Sequence, residues 1–364
     1  MPKSLDENIY DSVDPVLAAK MHKAISIIQF KVEGQIIKRR PEFDMNDRLQ
    51  ITCIDFAKGT VAIGGKEYPM KDMLLPTVDP KDPLKLTKEE EELMRTLQMS
   101  FKHSTDLQRH IKFVYSHGGM YKCCNSNVLY HGCIPMKENG EFDELKINGI
   151  IYSGKRLLKY IEDIVKMAYF LPEGDPMKEW CMDFVWYLWC GPKSPVFGKD
   201  KMATFESYFV ADKATHKEHM NPYYKLSQKE EICDKILKEF GLPVTGSHII
   251  NGHVPVKLKD GESPIKGNGK LYVIDGGLSK AYQPKTGIAG YTLIFNSHYL
   301  ALAEHKPFDP NQESTPKVEI VERMQKRVMV ADTDIGKRLK AQIEDLYELV
   351  AAYRGGVLKE NFKL

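Results

Sequence analysis

In SHIINGHVPVKLKDGESPIKGNGKLYVIDGG, residues 247–277, two short β-prone runs each end in glycine and a polar side chain. The first places apolar or small residues ahead of Gly252-His253; the second, KLYVIDGG at 270–277, closes on Asp275 and two glycines. Runs this short, rich in Ile, Val and Tyr and bounded by glycine, read as strands. Further upstream NVLY runs directly into His131-Gly132, and Asn125-Ser126-Asn127 separates it from MYKCC as a hairpin turn would. Loops at strand ends present side chains from a rigid support, and a neighbouring glycine lets the backbone approach an ion or phosphate closely. His131 and His253 are therefore candidate ligands. Taken singly, a strand-end histidine is more often a hydrogen-bonded structural residue, because one ligand fixes no coordination shell. Asp275 likewise reads two ways, as a group that orients a ligand or as the cap of a turn.

Around this β-rich centre the pattern is helical. Asp14-Pro15 reads as an N-cap followed by proline at the first helical position, and Leu17, Met21, Ala24, Ile25, Ile28, Val32 and Ile36 recur at helical spacing. Lys38-Arg39-Arg40 lies where the helix dipole favours cations, and Pro41 stops the helix, so these cations read as a solvated helix end and not as a phosphate clamp. Gly64-Gly65 marks a hairpin within 51–70, and TVDPKDP at 77–83 a loop. Thr87 with Glu90 makes a capping box; the acidic run Glu89 to Glu92 then reads as exposed and complementary to the dipole. Asn148-Gly149 signals another hairpin, after which Ser153 caps a helix buried through Leu157, Leu158, Ile161, Ile164, Val165 and Ala168. A helix at about 228–240 ends at Gly241, and 317–353 reads as charged and helical, interrupted near Asp332-Thr333-Asp334. The expected organisation is a mainly helical segment at 1–110, a β-rich part at 111–300 and a helical segment at 301–364.

A chain of 364 residues can bury one large core or divide into domains. Apolar content of 42%, charged content of 28% and a formal net charge of +2 argue against a disordered tail and against a nucleic-acid partner. The seven cysteines are scattered without a C-x-x-C pair, which suggests neither a disulfide framework nor a zinc knuckle and suits a reducing cytoplasm. The acidic start MPKSLDENIY is no signal peptide, and no run approaches about 18 uncharged apolar residues, so no membrane partner is expected.

Other chemistry-bearing residues carry weaker signals. Lys193, Lys199 and Lys201 in KSPVFGKDK could contact phosphate as point charges or simply be solvated. His117-Gly118-Gly119 reads as a turn, and Trp186, Tyr187 and Trp189 as core. SGKR at 153–156 lacks the preceding glycine of a phosphate-binding loop. Cys123 and Cys124 have no histidine nearby in sequence to activate a thiolate.

Read as collinear segments, KMHKAISIIQFKVEGQIIKRRPEF (20–43), LYHGCIP (129–135), WYLWCGPKSPVFGKDKMATFE (186–206), KEHMNPYYKL (217–226), SHIINGHVPVK (247–257), GESPIKGNGKLYVIDGGLSKAYQPKTGIAGYTL (261–293) and ADTDIGKRLKAQIEDLYELVAAYR (331–354) resemble the class III fructose-1,6-bisphosphatases along essentially the whole chain. The resemblance implies an α/β calcineurin-like metallophosphatase, a sandwich of two β-sheets flanked by helices, with two divalent metals at the strand ends. It implies manganese as the metal and hydrolysis of fructose 1,6-bisphosphate to fructose 6-phosphate and phosphate, a step of gluconeogenesis. His131 and His253 match the two later histidines of the superfamily and would bind one metal; Lys193, Lys199, Lys201 and Asp275 are the candidate substrate contacts.

The superfamily's Asp-x-His, Gly-Asp-x-x-Asp-Arg and Gly-Asn-His-Asp/Glu segments do not occur in residues 1–364. The resemblance thus implies an incomplete sandwich whose N-terminal, metal-binding half lies outside this sequence. The catalytic residues and a separate N-terminal partner portion are expected there. Two-metal phosphatases need bridging carboxylates, which two neutral histidines cannot replace, so the chain alone is expected to be inactive. Sheet edges or apolar surface left uncovered should favour self-association. The alternative is a non-catalytic remnant or regulatory interaction protein that retains the second half of the family pattern.

Overall fold

A computed structural model describes residues 14–277, 279, 283–288, 290–306 and 315–359. Their contacts form two units, Met1–Gly119 with Asp143–Asn221 and Met120–Phe142 with Pro222–Leu364. These boundaries differ from the three-segment division expected above. Phe43 gives one reason: its ring meets those of Trp180, Phe184 and Tyr187 at centroid distances of 5.1–6.4 Å, so the helical stretch after residue 143 shares a core with the N-terminal helix.

In chain order the first unit begins with α1 (Pro15–Arg39), capped by Asp14, whose carboxylate accepts from the Val16 amide at 3.0 Å. Strands β1 (Ile54–Asp55), β2 (Thr60–Ile63) and β3 (Lys66–Pro69) form an antiparallel sheet. Gly64 and Gly65, at φ +56° and +79°, make the tight β2–β3 turn that the glycine pair announces. The expected capping box opens α2 (Lys88–His103), and α3 (Thr105–His117) ends at His117. After β4 (Tyr121–Cys124) and β5 (Asn127–Tyr130), which belong to the second unit, the chain returns through the hairpin β6 (Leu145–Ile147)–β7 (Ile150–Tyr152). There follow α4 (Gly154–Phe170), which buries Leu157, Leu158, Ile161 and Ile164, then α5 (Pro176–Cys190) and α6 (Thr204–Phe209).

Three expectations about this unit are corrected by side-chain burial. Glu90 is buried, not exposed: its carboxylate takes the fully buried Lys31 ammonium at 2.7 Å. The end of α1 is solvated only in part: Lys38 and Arg39 are exposed, yet Arg39 and the half-buried Arg40 both bind the buried Asp183 carboxylate, through Nε contacts of 2.8 and 2.7 Å. Tyr187 is core, whereas Trp189 is half exposed.

The second unit holds α7 (Tyr223–Leu226), α8 (Glu230–Glu239), β8 (His248–Asn251), β9 (Ile265–Lys266), β10 (Leu271–Val273), α9 (Gln283–Thr286), β11 (Gly290–Phe295), β12 (Tyr299–His305), β13 (Lys317–Arg323) and α10 (Asp334–Arg354). Its five-stranded sheet runs β4-β5-β8-β10-β9, with β5, β8 and β10 parallel neighbours and β4 and β9 antiparallel at the edges. Every residue of β8 is buried, as a strand covered on both faces requires. Since the three parallel strands end side by side, the residues that follow them share one edge, the place where open α/β sheets hold their ligands. Residues 317–323 form a strand where helix was expected: Val318 and Ile320 alternate with charged residues at period two, and β13 pairs with β12. The last helix begins only at Asp334, where Thr333 Oγ1 accepts from the Gly336 amide at 3.1 Å.

Candidate metal centre

His131 leaves β5 directly and His253 follows β8 by two residues. Their rings meet: His131 Nε2 lies 3.0 Å from His253 Nδ1, with centroids 4.8 Å apart and planes at 64°. The loops are tied by the Gly252 amide, which donates to the His131 carbonyl at 2.9 Å. The Val254 amide then donates to the Gly252 carbonyl at 2.8 Å, closing a three-residue turn around His253 at φ +68°. A histidine in the left-handed region costs about 1–3 kcal/mol and persists only where its surroundings hold it, a feature common at binding sites.

Asp275 stands two residues beyond β10 on the same edge. Its Oδ1 accepts from the Gly277 amide at 2.7 Å, and its carbonyl accepts from the Val256 amide at 2.8 Å, so it caps the turn. Its charge also reaches His131. Burial pushes the His131 imidazole below its ordinary pKa, His253 pushes the same way, and Asp275 opposes both. A neutral ring offers the lone pair that metal ligation needs.

Two imidazole nitrogens about 2.1 Å from one ion, at adjacent corners of an octahedron, would lie about 3.0 Å apart. The separation of His131 and His253 matches that spacing, so the pair fits two neighbouring positions of a divalent cation's shell. It does not make a shell: among the described residues no group of three His, Cys, Asp or Glu is placed to hold a metal.

The candidate lysines lie in the other unit. Lys193 meets Asp143 at 3.2 Å and the Glu144 carbonyl at 2.8 Å, Lys199 meets Glu218 at 2.6 Å, and Lys201 meets the Thr215 carbonyl at 3.2 Å with Glu206 at 3.8 Å. Each ammonium thus already has a carboxylate near it. Sequence reasoning passed over the support beneath the histidines. Asn251, the one amide in the buried run of β8, donates to the carbonyl of Gly132, beside His131.

Gly276, next to Asp275, has no room for a side chain: a Cβ there would lie 2.6 Å from the Gly290 nitrogen and 2.7 Å from its Cα, both backbone. Gly276→Ala should lower stability by about 1–3 kcal/mol, the usual cost of overpacking. Chemical denaturation checks this; an unchanged midpoint would mean that the two segments separate freely.

Fold and site together define a mixed α/β protein that gathers polar side chains at the carboxyl edge of its parallel strands. The chain matches the Firmicute fructose-1,6-bisphosphatase family over residues 1–355 and belongs to that family. It is 51% identical over 368 residues to the class 3 fructose-1,6-bisphosphatase of Clostridium novyi (strain NT), which covers 99% of this chain and 55% of the relative. It is 53% identical to that of Alkaliphilus metalliredigens (strain QYMF), over 99% of this chain and 56% of the relative. The Bacteroides fragilis (strain YCH46) protein of the same name is 51% identical, over 98% of this chain and 54% of the relative. The chain therefore spans about half the length of the curated relatives it matches. No solved structure matches it. Among the described residues no helix is long and apolar enough to cross a membrane.

Proposed function

We propose that this chain is the later part of a cytoplasmic, calcineurin-like metallophosphatase, one that hydrolyses fructose 1,6-bisphosphate to fructose 6-phosphate and phosphate in gluconeogenesis. In this reading His131 and His253 are two ligands of a manganese centre. The carrying observation is the 3.0 Å approach of their nitrogens at the ends of adjacent parallel strands. A divalent pair supplies charge to polarise the phosphoryl oxygens and a nucleophilic hydroxide. This chain's residues hold one side of that centre: the imidazole nitrogens of the two rings face one another, and the left-handed turn at His253 with the Gly252–His131 tie keeps both rings on one edge. The Asp275 carboxyl lies on the same edge, near enough to act electrostatically on His131.

The bridging carboxylates and the group that protonates the departing sugar oxygen belong, in this proposal, to a portion bearing the three segments that do not occur in residues 1–364. The 55% coverage of the relatives supports that view. For the lysines at 193, 199 and 201, a role at the sugar phosphates requires exchange of their present carboxylate partners for phosphate.

The test is phosphate release from fructose 1,6-bisphosphate with manganese, by this chain alone and after mixing with a separately produced portion carrying the absent segments. Activity on mixing supports the proposal. No activity in either arm overturns it in favour of a non-catalytic or regulatory protein. Turnover by the chain alone would show that the essential ligands lie within it.

A further inference from the structure

The turn that carries His131 is gripped on both sides by buried polar groups. Tyr130 is the last residue of β5 and precedes His131; Gly132 follows it. Asn251, the last residue of β8 and 4% exposed, donates through Nδ2 to the Gly132 carbonyl at 2.9 Å and to the Tyr223 hydroxyl at 2.9 Å. Tyr223, from α7, lies 2.7 Å from the Tyr130 hydroxyl, oxygen to oxygen. Both tyrosines are buried.

Donor logic fixes the direction of the two Asn251 bonds. A carbonyl only accepts, so the amide nitrogen of Asn251, not its oxygen, must face Gly132. The second hydrogen of that nitrogen meets the Tyr223 oxygen, and the Tyr223 and Tyr130 hydroxyls share the next hydrogen bond. The same orientation leaves Asn251 Oδ1 buried without a donor among the described residues. An incompletely satisfied buried polar group costs stability that an apolar side chain of the same shape would not. What the fold gains in return is a fixed Gly132 carbonyl, and through it a fixed turn that sets His131 beside His253.

We propose that Asn251 and Tyr223 are positioning residues for the His131–His253 pair, holding the two rings at the separation a shared cation requires. The inference rests on the reading of that pair as metal ligands.

The experiment uses the full chain and Co2+, whose visible absorption reports ligand geometry, together with 15N NMR of the imidazole rings. Asn251→Asp keeps the size but replaces the donor by an anionic oxygen facing a carbonyl. It should weaken Co2+ binding by about 10–100-fold, the usual effect of losing a partner that orients ligands, and change the visible band. Tyr223→Phe removes a single hydroxyl and should shift affinity the same way by less; it carries the test where Asn251→Asp does not fold by circular dichroism. Unchanged affinity, band and ring shifts in a folded variant overturn the proposal. Should the unaltered chain alone bind no Co2+, as a shell with only two of its ligands here allows, the metal reading stands or falls on the mixing experiment. The ring shifts then decide positioning: altered tautomers of His131 and His253 in the variant sustain it, and unaltered ones end it.

Discussion

Lys31→Ala will lower the free energy of unfolding by about 3–5 kcal/mol, the cost of stranding a buried charge by removing its partner. Lys31 sits on α1 at 0% exposure and donates to Glu90 at 2.7 Å and to the Thr77 carbonyl at 2.5 Å. Glu90 in turn accepts from the Thr87 amide at 2.9 Å, closing the capping box of α2. One ammonium thus joins α1, the loop before α2 and the first turn of α2. Alanine would leave a buried carboxylate with no cation beside it, a Thr77 carbonyl without its ammonium donor and a void. Urea unfolding followed by circular dichroism measures the loss; a change under about 1 kcal/mol would mean that water reaches Glu90 freely. Lys31→Met with Glu90→Leu should recover much of the deficit, because an apolar replacement of a buried pair is often neutral or better. It should still fall short by the lost cap, about 1 kcal/mol.

The pH dependence of this pair has a definite sign. Burial, the largest influence on Glu90, would raise its pKa, but the Lys31 ammonium and the Thr87 amide together bring it below the ordinary carboxylate value. A folded-state value below the unfolded one gives stability that is full above the unfolded pKa, about 4.5, and is lost as pH falls through the folded value. Without Lys31 the strongest of the influences that lower the Glu90 pKa is gone, so this dependence weakens. The unaltered chain should lose stability on acidification through this region, and Lys31→Ala should lose less.

How far the residues announce this architecture depends on the range of the forces involved. Local signals read correctly: Asp14-Pro15, the Thr87 and Glu90 box, the turns at Gly64-Gly65 and Asn148-Gly149, and the stop at Gly241 each act within a few residues. The same locality explains the misreadings. Glu90 looks like one member of an exposed acidic run until Lys31, 59 positions away, is folded against it. Arg39 and Arg40 look unpaired until Asp183 arrives from α5. Residues 317–323 look like helix because they are charged, yet the alternation of Val318 and Ile320 is the pattern that pairs with β12. For the candidate site, the strand-then-glycine context picks out His131, His253 and Asp275. Their convergence follows only from the parallel order β5-β8-β10, which no local pattern encodes. Asn251 stayed hidden because a lone amide in an apolar run carries no periodicity.

His131→Ala and His253→Ala should each weaken binding of a divalent cation by more than the 10–100-fold that follows loss of a mere supporting group, since each removes a ligand outright. With two protein nitrogens on the ion, removal of either leaves a monodentate site that water outcompetes. The two substitutions should therefore be non-additive, with the double variant little worse than either single one. Stability should separate two substitutions at position 253. Alanine at 253 keeps the unfavourable φ of +68° without the ring contact, whereas His253→Gly adopts that backbone without strain and should be the more stable of the two. Titration with Mn2+ followed by electron paramagnetic resonance gives the affinities, and thermal unfolding without metal gives the stabilities. If Mn2+ affinity survives both single substitutions unchanged, the 3.0 Å approach of the two rings is a hydrogen bond that serves only the fold, and the metal must be sought elsewhere in the protein.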